Sequence, residues 1–331
     1  MRCLALAQAW QDLTRQDSAS SVTFTMAEST PSVEHRLDQE GMRRLRIVAA
    51  RGSVSDSDQF RAISRTELPA WVVIDGYEFD ERYVCALQGD GLKVLLMDDN
   101  GRREPISADV VLNQNLHAEE TLYPHRTART RLLLGTRYAL LRREFRAARS
   151  QQTISLKTIS PIGSKVLVSL GGSDPQNVTL RVLEAIEQVE LDLEVVVVSG
   201  GSNLHSDTIA AAVSRSRHRS SLRKNVQNMQ ELMSWADLAI SAAGSVCWEY
   251  CALGLPALLV TVAENQAVNA RALEAAGAAR LMPGGSQFAL EDMSAAVTRL
   301  ANSIAERQTL SKDAGKLVDG EGAPRVVAAL M

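Results

Sequence analysis

The chain has 331 residues, long for a single hydrophobic core, so two domains are expected. Hydrophobic residues make up 45% and charged residues 23%, the balance of a soluble globular enzyme. A net charge of -3 gives no reason to expect nucleic acid or an anionic membrane surface as a partner, and no apolar run is long enough to span a bilayer.

The first run, MRCLALAQAWQDL, resembles a signal peptide in having one Arg followed by apolar residues, but it lacks a small-residue cleavage site. It reads as an amphipathic helix over 1–13 with Leu6, Trp10 and Leu13 on one face. Cys3, Cys85, Cys247 and Cys251 make no CxxC, so free thiols, mostly buried, in a reducing cytoplasm are expected, with no zinc site. Residues 21–27 alternate like a strand, 31–39 read as a short helix, and 45–50 form another apolar run. Three further runs, WVVIDGY at 71–77, KVLLMDD at 93–99 and ADVVLNQN at 108–115, are apolar and end in polar residues. Strands alternating with helical stretches predict an α/β fold with a mostly parallel sheet. Asp75, Tyr77, Asp98, Asp99, Asn113 and Asn115 would then emerge on the sheet edge that binds ligands. For each Asp or Asn alone, turn formation is the blander reading. Asp98 and Asp99 could hold a metal only with a third ligand, which the spacing does not supply. The arginine-rich stretch 126–149 reads as a solvated helix face, with an anion-binding patch as the alternative, leading to a polar connection at 150–164.

The second domain, 165–331, opens with a strand at 165–170, then Gly171, Gly172, Ser173, Asp174 and Pro175, then a helix over 177–189. No Gly-Lys-Ser/Thr follows, and the pattern is not GxGxxG, so neither a Walker A loop nor a dinucleotide site is supported. A loop that lets backbone approach a diphosphate or sugar is expected. Another strand lies at 194–199. The stretch 235–266 is the expected centre of ligand binding: strand 236–241, small-residue turn 242–245, helix 246–253, strand 256–263. The N–H groups of Gly244, Ser245 and Val246 are placed to meet an anion. Glu249 could accept from a ribose diol or merely complement a helix dipole. Glu264, Asn265 and Gln266 suit hydroxyl and acetamido recognition, with helix capping by Asn265 as the plain alternative.

The runs VLVSLGGSDPQNVTLRVLEAI, ADLAISAAGSVCWEYCALGLPALLV, VLLMDDNG, VLNQN and LLLGTRYALLRREF together resemble the pseudaminic-acid pathway UDP-sugar hydrolases, which act on UDP-2,4-diacetamido-2,4,6-trideoxy-β-L-altropyranose. The GGSD and AAGS–CWE pieces also resemble the wider MurG-like glycosyltransferases. The resemblance implies a GT-B fold: two Rossmann-like domains, 1–149 on the sugar side and 165–331 for UDP, facing a cleft. It implies attack of water on the anomeric carbon, departure of UDP and inversion, in the cytoplasm. No metal or organic cofactor is implied, and the expected partner is a UDP-sugar, without nucleic acid or a membrane span. On this chain Gly171, Gly172 and Ser173 resemble the loop lining the cleft, and Ser241, Gly244 and Ser245 the diphosphate turn. Glu249 resembles the ribose carboxylate, Asn265 and Gln266 the sugar or phosphate contacts, and Tyr77 a cleft tyrosine.

One departure matters. The family begins with a strand, a G-x-G-H turn bearing the general-base histidine, and then a run like MRCLALAQA, which in this chain starts at Met1. The expectation is therefore an N-terminal domain lacking its first strand, with the catalytic histidine upstream of a misassigned start, and a degenerate copy as the alternative. His35, His117, His125, His205 and His218 match no such position and read as exposed loop residues. A MurG-like glycosyltransferase and a non-catalytic nucleotide-sugar binder are the competing functions.

Overall fold

The computed structural model describes residues 1–14, 21–154 and 160–331. It is an α/β protein whose paired strands are all parallel, in two units: Met1–Arg143 with Glu321–Met331, and Glu144–Gly320.

The N-terminal unit holds β1 (Thr23–Met26), β2 (Arg43–Arg46), β3 (Val72–Asp75), β4 (Val94–Met97), β5 (Val110–Asn113) and β6 (Arg131–Leu134). β1 and β2 form one sheet, and β3-β4-β5-β6 another. Among the described residues β1, β2, β3 and β6 are each paired on one side only. β4 and β5 are buried at every residue, because a parallel sheet is covered on both faces. The helix Arg2–Leu13 serves both sheets. Its Ala5, Leu6 and Ala9 pack with Leu95, Met97, Val110 and Leu112, while Leu4 and Ala7 pack with Leu37 and Met42. Leu13, expected on its apolar face, is 52% exposed. Two expected boundaries move: the run at 45–50 yields a strand only at Arg43–Arg46, and the arginine-rich stretch contains β6 before its helix, Arg143–Ile154.

That helix also occupies the first part of the connection expected at 150–164, of which residues 155–159 lie outside the described residues. The C-terminus departs from expectation as well. Helix Gly322–Leu330 belongs to the N-terminal unit, where Ala323, Val326, Val327 and Leu330 join the cluster around Leu95 and Leu112. The Trp71 indole donates to the Leu330 carbonyl at 2.7 Å.

The C-terminal unit holds β7 (Lys165–Ser169), β8 (Glu194–Ser199), β9 (Arg219–Lys224), β10 (Leu238–Ala242), β11 (Ala257–Val260) and β12 (Arg280–Leu281), ordered β12-β11-β10-β7-β8-β9. The chain lays down β7, β8 and β9 outward in one direction, returns to pair β10 with β7, and then builds outward the other way. The strand order therefore reverses between β7 and β10. In open α/β sheets the crevice outside the carboxyl ends at such a reversal is where ligands bind. Beneath it lies a continuous core including Val166, Val168, Val195, Val197, Ile240 and Leu258.

Candidate functional site at the sheet reversal

The two glycine-rich turns leave the carboxyl ends of β7 and β10, the pair that flanks the reversal, with Ser169 and Ser241 in register beneath them. Alike in sequence, the turns differ in whether the helix that follows is capped from within the chain. After β7, Gly171 sits at φ 99°, and Gly172 and Ser173 are exposed. Asp174, at φ 39° and 3% exposed, then folds back onto the helix Val178–Ile186. Its carboxylate accepts from the Val178 and Thr179 N–H groups at 2.9 Å each. That helix start is already occupied by an internal anion and does not offer itself to a phosphate. The amides of Gly171, Gly172 and Ser173 remain without acceptors among the described residues.

After β10 the turn is open. The N–H groups of Gly244, Ser245 and Val246 have no acceptor among the described residues, while the Gly244, Ser245 and Val246 carbonyls accept from Cys247, Trp248 and Glu249 at 3.0–3.2 Å. Successive free N–H groups in a tight turn form an anion-binding concavity. The helix that follows is shorter than expected, Cys247–Ala252, so the turn amides rather than a long dipole supply the positive potential.

Gln266 is brought to this turn. Its side-chain oxygen accepts from the Val262 N–H at 3.1 Å, and its Nε2 lies 3.8 Å from where a Cβ on Gly244 would stand. Asn265 is exposed beside it in a short 3-10 turn, Glu264–Gln266. Glu249 is half-buried on the short helix. Ser241 is corrected: it is 0% exposed and its hydroxyl donates to the Ala242 carbonyl at 3.1 Å, so it supports the turn from inside the core and cannot touch a ligand. Behind the turn, burial pushes the Tyr250 phenol and the Cys247 thiol up and the Cys251 thiol to about 12, which keeps all three neutral.

The loop after β8 was missed. Gly200 approaches Gly172 so closely that a Cβ there would stand 2.5 Å from the Gly172 Cα and nearer still to its carbonyl oxygen, while the Ser202 hydroxyl donates to that carbonyl at 3.0 Å. A Cβ on Gly201 would meet the Asn225 side chain at 2.6 Å. The Gly-Gly pair directly after the apolar run 194–199 was the available signal.

In the N-terminal unit, Tyr77 is 61% exposed and its hydroxyl donates to Asp99 at 2.9 Å. Arg2 donates to Asp75 at 2.6 Å and Asp99 at 2.7 Å, Asn115 donates to Asp99 at 3.2 Å, and the Cys3 thiol to Asp75 at 3.1 Å. Asp98 turns the other way, accepting from Tyr123 at 2.8 Å and the Gly101 N–H at 2.7 Å. The two neighbouring carboxylates are thus committed to different partners rather than converging on a cation. Burial pushes the Asp75 carboxyl up, but the hydrogen bonds and charge of Arg2 outweigh it and hold the group below the usual carboxylate range.

The histidines are not all exposed loop residues. His218 is buried and bonds the Ile186 carbonyl at 2.9 Å, His205 bonds the Pro175 carbonyl, and His35 bonds Gln39. The four cysteines are free, and Cys85 is exposed rather than buried. No helix among the described residues is long and apolar enough to cross a membrane.

Residues 166–323, most of the C-terminal unit, match the glycosyltransferase family 28 C-terminal domain. The chain is 28% identical over 240 residues to the spore coat polysaccharide biosynthesis protein SpsG of Bacillus subtilis (strain 168), covering 72% of this chain and 69% of that protein. It is 25% identical over 256 residues to the uncharacterized protein MJ1062 of Methanocaldococcus jannaschii, spanning about half of that protein, 51%, and 76% of this chain. Among solved structures it is similar to Acinetobacter baumannii MurG, with a TM-score of 0.66 at 16% identity, covering 99% of this chain and 95% of that one. It is also similar to the UDP-GlcNAc 2-epimerase from Neisseria meningitidis bound to UDP-GlcNAc, with a TM-score of 0.71 at 14% identity, covering 100% and 97%. The fold is thus that of two Rossmann-like units as in GT-B proteins.

Proposed function

We propose that the chain acts on a UDP-sugar, cleaving the bond between the anomeric carbon and the diphosphate with water to release UDP and the inverted free sugar. The substrate proposed is UDP-2,4-diacetamido-2,4,6-trideoxy-β-L-altropyranose. The observation that carries the nucleotide-sugar assignment is the open amide turn Gly244–Ser245–Val246 at the sheet reversal, inside the segment that matches the family 28 domain. Negative charge develops on the diphosphate as it leaves, and fixed amides aimed at it stabilise the transition state more than the ground state. Gln266, already held against Gly244, is placed to donate to a phosphate or sugar oxygen, and Glu249 to accept from the ribose diol. The amides of Gly171, Gly172 and Ser173 approach from the opposite wall of the same crevice. Tyr77 and Asn265 are proposed sugar contacts, and the hydrolytic chemistry itself rests on the family runs of the sequence.

A second function, transfer of the sugar to an acceptor, is favoured by the family 28 match alone. Calorimetry with UDP, followed by UDP release with and without an acceptor sugar, separates the two. Release without acceptor is the expected result. Release only when acceptor is added assigns transfer, and no binding of UDP refutes both.

A further inference from the structure

The arginines of the N-terminal unit are largely paired: Arg2 with Asp75 and Asp99, Arg36 with Glu40, Arg44 with Glu34 and Asp38, Arg61 with Asp90. The outer edge of the C-terminal unit's sheet shows the reverse. Arg215, Arg217, Arg219, Arg223 and Lys224 are all exposed, and none has an ion-pair partner among the described residues. Two acids of the neighbouring elements illustrate this. Glu187 accepts from the Ser216 hydroxyl and the Arg217 N–H, and Glu194, in register with Arg219, makes no ion pair with it.

The backbone beneath these cations is half unpaired. β9 is six residues long and, among the described residues, pairs only with β8. The Arg219 N–H donates to the Leu193 carbonyl and the Asn225 N–H to the Ser199 carbonyl, both at 3.1 Å. By strand alternation residues 219, 221, 223 and 225 face β8, and Ser220, Leu222 and Lys224 turn their N–H and C=O groups outward. Side chains alternate too. Leu222 packs on the core, so Arg219, Ser221 and Arg223 share the opposite face, with the small Ser221 between two guanidinium groups. Charged side chains on an edge strand hinder pairing with a like-charged copy and leave it open to a strand of opposite charge. Arg219, Arg223 and Lys224 lie along roughly 20 Å of open edge, Arg215 and Arg217 lie just before it, and none of the five is compensated among the described residues.

We propose that this edge docks an extended acidic segment of a partner protein, which adds as a strand beside β9 and sets carboxylates at alternate positions opposite Arg219 and Arg223. Such a segment answers both features at once, the outward backbone groups and the unpaired cations. An anionic bilayer or a flexible polyanion would answer the charges and leave Ser220, Leu222 and Lys224 unpaired.

The test uses the full chain and two labelled peptides of equal length and charge, one with glutamates at every second position and one with the same glutamates clustered, read by fluorescence anisotropy. The alternating peptide should bind better than the clustered one. Binding should weaken by about tenfold or more in Arg219→Glu/Arg223→Glu, where two favourable cross-strand pairs become repulsive. Ser220→Pro removes one outward N–H and leaves the β8 ladder and all five cations in place, so it should abolish the preference for the alternating peptide. Hydrogen exchange on the unaltered protein is independent of any variant's folding: the Ser220, Leu222 and Lys224 amides should gain protection when the alternating peptide binds. Equal binding of both peptides with no new amide protection overturns the proposal. So does binding to phosphatidylglycerol vesicles that Ser220→Pro leaves unchanged while neither peptide binds.

Discussion

Gly200→Ala is a direct test of how the site's walls are held. The added Cβ would stand 2.5 Å from the Gly172 Cα, with the Gly172 carbonyl closer still, and both neighbours are backbone that cannot rotate away. Relief requires the loops after β7 and β8 to part, at an overpacking cost of about 1–3 kcal/mol. Parting also breaks the Ser202 hydroxyl bond to the Gly172 carbonyl, now 3.0 Å, adding about 0.5–1.5 kcal/mol. A destabilisation of about 2–4 kcal/mol should lower the melting temperature by roughly 2–4 °C per kcal/mol in a unit of this size. UDP affinity should fall severalfold, because each displaced amide contact is worth about 0.5–1.5 kcal/mol. Gly172→Ala is the control: its Cβ meets only the Ser202 hydroxyl at 3.8 Å, an ordinary contact. Denaturant melts and calorimetry on both variants decide it. If Gly200→Ala matches the unaltered protein in stability and UDP affinity, the close approach of the two loops is not real and they cannot act as one wall.

Four shorter predictions follow from the same structure. Glu249→Gln should weaken UDP binding by about 1–3 kcal/mol if the carboxylate holds the ribose; unchanged affinity by calorimetry removes it from the site. Asp174→Ala should cost about 1–2 kcal/mol in chemical denaturation, because two helix N–H groups lose their acceptor. Asp75 has its folded pKa depressed, so its contribution is complete above the unfolded value of about 3.9 and is lost as pH falls through the folded one. Arg2→Gln should therefore lower the melting temperature near neutrality and progressively less at acid pH; a pH-independent loss would contradict the pairing. Arg307, 0% exposed, donates to the Leu300, Ala301, Ser160 and Pro161 carbonyls, and burial lowers its pKa. Arg307→Met keeps the stem but removes a donor from the buried Leu300 and Ala301 carbonyls, the latter still accepting from the Gly163 N–H, and should cost about 1–3 kcal/mol by denaturant melts, the penalty of about one buried acceptor left unpaired.

Much of the sheet was legible because its central strands are buried on both faces and read as apolar runs, as at 165–170, 194–199 and 236–241. β9 was invisible for the opposite reason: RSSLRK is an edge strand whose face opposite Leu222 carries arginine, serine and arginine, with no apolar period to follow. The return of helix Gly322–Leu330 to the N-terminal unit was illegible because an amphipathic stripe says that a helix is covered, without saying by which sheet. Leu13 misled in the same way, since a three-residue face at the end of a helix does not reveal where the neighbouring layer stops.

The site divides along a similar line. Residue type located both turns, because glycine and serine after a buried strand mark where backbone is bare. It could not rank them, since GGSD and AAGS carry the same local signal. The difference is made one residue later. In the first turn the residue after the serine is Asp174, which adopts φ 39° and reaches forward to the next helix start. In the second it is Val246, whose side chain has no oxygen to give, so the helix that follows has no side-chain cap, while the turn amides themselves are open in both. An aspartate supplied by the chain and a phosphate supplied by a ligand compete for the same kind of donor. On this physical ground the diphosphate is proposed at Gly244–Ser245, with the β7 loop, its helix already capped, proposed to line the other wall. Val246→Asp sets a negative charge within the turn proposed to hold the diphosphate, and should abolish UDP binding by like-charge repulsion. Full UDP affinity in that variant would show that the diphosphate is held elsewhere.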